Sequence, residues 1–102
     1  MNQIDRIRWK RTLRTASSER WLGVLGDRDA VAIDLHHLPD GTAAGTVTVV
    51  EGGGIDPGAV PALLERFDDD FLPGIDLDEG GVSLTVVYAR SAEQYERART
   101  DA

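Results

Sequence analysis

The sequence predicts a single α+β domain over residues 1–102, an antiparallel meander of four to five strands with one amphipathic helix and a short C-terminal helix packed on one face. Three observations lead there. Short runs between residues 7 and 50 alternate apolar with polar residues, the period of a half-buried strand. Val60 to Phe71 changes to helical period. A chain of 102 residues has room for one hydrophobic core.

Residues 4–15 fit two periods. A helix would put Ile4 and Ile7 on one face and Trp9 and Leu13 on another. A strand points Ile7, Trp9 and Leu13 one way, with Arg8, Lys10, Thr12 and Arg14 on the other side. Arg11 is the strong exception to that alternation, and period two is the better match, so a strand is expected. Ser17-Ser18-Glu19 reads as a turn, Trp21 to Leu25 as a short apolar strand, and Gly26-Asp27-Arg28-Asp29 as a hairpin loop. Val31, Ile33 and Leu35 alternate with Ala32, Asp34 and His36 as in a half-buried strand. Pro39-Asp40-Gly41 supplies a preset φ, a local acceptor and a left-handed position, which together make a turn. Thr46 to Val50 is β-branched throughout and predicts the next strand.

Gly52-Gly53-Gly54 and Asp56-Pro57-Gly58 interrupt the sheet, and Pro61 suits the first turn of a helix. Val60, Leu63, Leu64, Phe67 and Phe71 then form one apolar stripe. Val82 to Ala89 is a further β-rich run, placed by a crossover beside the first strand or a central one. Ser91 with Gln94 has the capping-box pattern and opens the expected C-terminal helix, which carries Tyr95 and little else apolar.

Charge is unevenly distributed. Eighteen acids oppose eleven bases, for a net charge of −7. Residues 1–20 hold six bases against two acids, a net of +4, and the other 82 hold five against sixteen, a net of −11. An anionic body of this kind repels nucleic acid and anionic lipid over most of its surface. No apolar run approaches the roughly 18 residues of a membrane span. The absence of cysteine excludes disulfides, thiolate metal sites and cysteine nucleophiles. The N-terminal segment is basic without the apolar stretch of a signal peptide, so the expected location is the cytoplasm.

Four groups of residues invite a chemical reading. The glycine run follows a strand and precedes a helix, as phosphate cradles do, but Pro57 stands where a dinucleotide fingerprint needs glycine. A P-loop lysine is also missing, and Glu51 and Asp56 flank the run. Asp68, Asp69 and Asp70 close the amphipathic helix, with Asp76, Asp78 and Glu79 soon after. Carboxylates in that density can hold a hard cation, but the twelfth position of an EF-hand counted from Asp76 is Val87. Three aspartates at a helix C-terminus oppose its dipole, at about 0.3–1 kcal/mol each, unless a basic partner or an internal arginine compensates. His36 and His37 are adjacent and point to opposite faces of a strand; Asp34 shares the face of His36 and could orient it as a base. Arg6, Arg8, Lys10 and Arg14 form a basic row that single-stranded nucleic acid could use with Trp9, but Trp9 falls on the opposite, core-facing side.

No nucleophile, metal set or cofactor motif converges in these groups. The function the sequence favours is a non-catalytic protein–protein interaction domain, adaptor-, chaperone- or immunity-like and without a cofactor. The acidic segment from Asp68 to Glu79 would meet a basic protein partner, and the chain would form a homodimer. The alternatives are a small metal-dependent enzyme using Asp34, His36 and the acidic loop, or nucleic-acid binding through the basic opening.

Overall fold

The computed structural model describes residues 3–72, 81–93 and 95. A short 3-10 turn, Gln3–Arg6, leads into β1 (Arg8–Arg14), β2 (Ser18–Leu25), β3 (Arg28–His37) and β4 (Ala43–Val50). A second 3-10 turn, Pro57–Ala59, runs directly into α1 (Val60–Phe71), and β5 (Val82–Ala89) follows. The sheet order is β1-β2-β3-β4-β5, antiparallel throughout except for the parallel β4–β5 pair.

The meander arises where turn chemistry and alternation agree. Gly26 has φ 68° in the β2–β3 hairpin and Gly41 has φ 89° in the β3–β4 turn, conformations that a side chain resists. In the second turn Asp40 Oδ1 accepts from the Thr42 amide at 3.0 Å and the Thr42 hydroxyl at 2.6 Å, closing the loop that Pro39 opens. The pleat then puts Trp21, Val31, Ile33, Leu35, Val47 and Val49 on one face, and all six are buried. The opposite face carries Arg20, Asp34, Thr46 and Thr48, half-exposed.

Helix α1 covers the first of these faces. Val60, Leu63 and Phe67 are buried, and Leu64 and Phe71 pack at the margin, as the predicted stripe requires. Phe67 and Phe71 interlock with Trp9 and Trp21, with ring centroids 4.9 Å apart for Trp9–Phe67 and 4.4 Å for Trp21–Phe71. Tilted aromatic pairs of this kind add roughly 0.5–1.5 kcal/mol each beyond the area they bury. Gly23 makes the arrangement possible. A Cβ there would stand 2.6 Å from Val31 Cγ1 and 3.0 Å from both Ile7 and Trp9, so the missing side chain is the space those residues occupy.

Several expectations are corrected. The opening strand spans residues 8–14, while Gln3–Arg6 is a 3-10 turn that buries Ile4 and ends just before buried Ile7. A register shift between Arg11 and Leu13 against β2 breaks the alternation. Arg11, opposite Trp21, stays on the face of Trp9, but beyond the shift Leu13 turns outward, 44% exposed, and Arg14 turns to the face of Glu19. Strand β5 lies at the sheet edge beside β4, parallel to it, and neither beside β1 nor in the centre. The cause is topological. One helix carries the chain back across the sheet to run in its former direction, and β1 to β4 already occupy one another's inner edges. No helix begins at Ser91. Ser91, Ala92, Glu93 and Tyr95 are not helical, and Tyr95, the large apolar residue expected to anchor such a helix, is 87% exposed. The rest of that segment lies outside the described residues.

Phe67 touches both tryptophans and is almost wholly buried. Replacing it by alanine is expected to lower unfolding free energy by about 3–5 kcal/mol, read by urea denaturation with tryptophan fluorescence.

Candidate interaction surfaces

The inward position of Arg11 builds a charged centre that sequence reasoning missed. Glu19, on β2, is only 7% exposed. Its Oε1 accepts from Trp21 Nε1 at 3.2 Å and lies 3.5 Å from Arg11 Nη1. Its Oε2 lies 2.9 Å from Arg14 Nη1 and accepts from His37 Nε2 at 2.6 Å. The Arg11 guanidinium also lies over the Trp21 ring, 5.6 Å from its centroid. Burial pushes the Glu19 carboxyl up, but the His37 hydrogen bond, the Arg14 charge, the Trp21 hydrogen bond and the His37 charge together hold it below its usual value. With four donors on two oxygens, Glu19 ties β1, β2 and β3 together and keeps no acceptor for a substrate. The signal was present in sequence: Glu19, Trp21 and Gly23 continue one face of β2, and His37 continues the face of Leu35 on β3.

The residues singled out from sequence are dispersed. Asp34 and His36 share the outer face of β3, where Asp34 Oδ1 accepts from Arg20 Nε at 2.6 Å across the β2–β3 ladder. No group of three or more acids and histidines is arranged for a metal ion among the described residues. From the middle of α1, Arg66 reaches Asp70 at 3.0 Å and Asp5 at 2.7 Å, so Asp70 is paired from within the helix, although the last turn itself holds no base. Asp69 is exposed and Asp68 is half-buried. Asp76, Asp78 and Glu79 lie outside the described residues.

The basic residues do not form one row. Arg8 and Lys10 project from the outer face of β1, but past the register shift Arg14 turns inward to Glu19. Arg8 bonds the Gly26 carbonyl at 2.7 Å, and exposed Arg6 lies near it at the opposite end of the sheet from Glu19.

Comparison with protein-family models, curated proteins and solved structures finds no match.

The two sheet edges differ. Strand β1 carries four cationic side chains in seven residues and an irregular register, devices that discourage pairing with another chain. Strand β5, Val-Ser-Leu-Thr-Val-Val-Tyr-Ala, is regular and has no charge, proline or glycine. Beside it runs a mainly apolar groove of about 420 Å³ between β5 and α1, lined by Pro57, Val60, Pro61, Leu64, Val86 and Tyr88, with Glu65 its one charged residue. Tyr88 is 48% exposed and Val87 42%. No helix among the described residues is long and apolar enough to cross a membrane.

Glu19 has a folded-state pKa below the 4.5 of an unperturbed carboxyl, so its stabilisation is complete above that value and is lost as pH falls through the lower folded one. Denaturation midpoints followed from neutral pH into acid are expected to fall more steeply for the unmodified protein than for Glu19→Gln. At neutral pH the variant is expected to be less stable by ~1–3 kcal/mol, the worth of hydrogen bonds to a charged group.

Proposed function

We propose that this chain is a non-catalytic protein-interaction domain that self-associates through the β5 edge. One observation carries the reading: an eight-residue, uncharged, regular edge strand flanked by a mainly apolar groove, in a sheet whose other edge is guarded by cations. Exposed edges of this kind pair readily with another strand, and β-strand addition supplies main-chain hydrogen bonds whatever the side chains.

A second copy is the occupant that the charge favours. With −7 on each chain, most ways of bringing two copies together place like charges in contact. The β5 edge is an eight-residue stretch free of charge. Antiparallel pairing of β5 with its counterpart would join the two sheets. It would also bring Tyr88 of each copy toward the groove beside the other's α1, where burial of a large aromatic contributes most to lifetime. The acidic end of α1, with exposed Asp69 at its centre, remains available to a basic protein partner, where charge sets association rate more than affinity.

The test is sedimentation velocity across a concentration series. Thr85 and Val87 are both exposed, so Thr85→Lys with Val87→Lys leaves the core intact while placing like charges along the paired edges. The unmodified protein is expected to dimerise with little dependence on salt, and the double variant to remain monomeric over the same range. A monomeric unmodified protein, or a variant that dimerises equally well, overturns the reading.

A further inference from the structure

The sheet end opposite Glu19 gathers three arginines that form no ion pair among the described residues. Among the described residues, Arg11 and Arg14 pair with Glu19, Arg20 with Asp34, and Arg66 with Asp5 and Asp70. Arg6, Arg8 and Arg28 make no ion pair with a described residue, yet all three line one shallow groove of about 520 Å³. Its remaining wall is the β2–β3 hairpin and the glycine run Gly52–Gly54.

From this convergence we infer a binding site for a phosphate-type oxyanion, independent of the β5 edge. Two of the guanidinium groups are already oriented by neutral acceptors: Arg8 donates to the Gly26 carbonyl at 2.7 Å and Arg28 to the Gly52 carbonyl at 3.1 Å. A carbonyl fixes a guanidinium without cancelling its charge. Less side-chain freedom is then lost when an anion arrives, and the remaining N–H groups keep the planar fork that matches phosphate oxygens. Gly52 has φ 82° and Gly54 φ 99°, conformations that favour glycine, and at Gly52 no other atom lies within 4 Å of where a side chain would stand, so this part of the groove wall is open.

The acids flanking the glycine run in sequence are not in the way. Glu51 does not line the groove, and the Asp56 carboxylate accepts from the Gly58 amide at 3.2 Å, capping the 3-10 turn before α1. Asp27 is the carboxylate that does line it. Three guanidinium groups against one carboxylate leave two positive charges, the complement of a phosphate dianion. The recognition is by side-chain forks at a sheet end and does not depend on a phosphate-loop or dinucleotide motif.

Backbone amide NMR during titration, at constant ionic strength held with sodium chloride, tests the site. Inorganic phosphate and phenyl phosphate serve as probes, and separate a free anion from a phosphomonoester. Saturable shifts are expected at Gly26, Arg28 and Gly52 to Gly54. Arg6→Gln, which breaks no side-chain hydrogen bond or ion pair among the described residues, and Arg28→Gln are each expected to weaken binding about tenfold, the loss of one charge-assisted contact. Asp27→Asn is expected to tighten binding several-fold, a gain that general damage to the fold would not produce. Shifts that fail to saturate, that gather instead around Arg11 and Arg14, or that are unchanged in Arg6→Gln would overturn the assignment. Tighter binding of phenyl phosphate than of phosphate identifies the ligand as an ester; equal binding identifies the free anion.

Discussion

The fold rests on the contact between one helix and one face of the sheet. Five strands present a continuous apolar surface, and α1 is the helix that covers it, with Phe67 and Phe71 inserted between Trp9 and Trp21. Almost every other feature follows from that contact. Gly23 is side-chain-free because Ile7 and Trp9 need its volume. Arg11 can face inward because the Trp21 ring gives its guanidinium a surface to lie on, and Glu19 then gives it a charge. The opening 3-10 turn is held down from the other side, where Arg66 of the helix grips Asp5.

The two sides of the sheet solve the problem of polar residues differently. On the covered side a carboxylate is nearly buried, and it stays charged because cations and donors from three strands surround it. On the uncovered side Arg20 and Asp34 pair across neighbouring strands with both side chains about two-fifths exposed, so solvent screens much of their attraction. The covered cluster therefore matters to the register of β1 on β2 and β2 on β3, whereas the exposed pair matters little to stability. The arginine-rich character of the first twenty residues, conspicuous in composition, divides between these roles and the groove at the hairpin end.

Much of the architecture was legible in the residues. The meander followed from alternation and turn chemistry, and the amphipathic stripe of Val60 to Phe71 named the helix and its buried face. What could not be read was set by contacts distant in the chain. The bulge after Arg11 arises from the fit of β1 to β2, and local alternation placed Leu13 and Arg14 on the wrong faces of the strand. The position of β5 depended on which edge the crossover left vacant, information that no local window contains. A capping pattern at Ser91 suggested a helix that the following residues lack the apolar surface to hold. The candidate surfaces were hidden for the same reason. Arg6, Arg8, Arg28 and the glycine run lie far apart in sequence and meet only after the hairpins form.

The unlike borders of the sheet also bear on stoichiometry. A border that accepts a partner at both ends of a molecule lets subunits add without limit, which is how filaments grow. Here the cationic, bulged border of β1 is a poor template, so a junction formed at β5 consumes the one receptive border each subunit brings. In the proposed dimer, growth would halt at a pair, and the arginines of β1 would act as terminators of assembly as well as contributors to the fold.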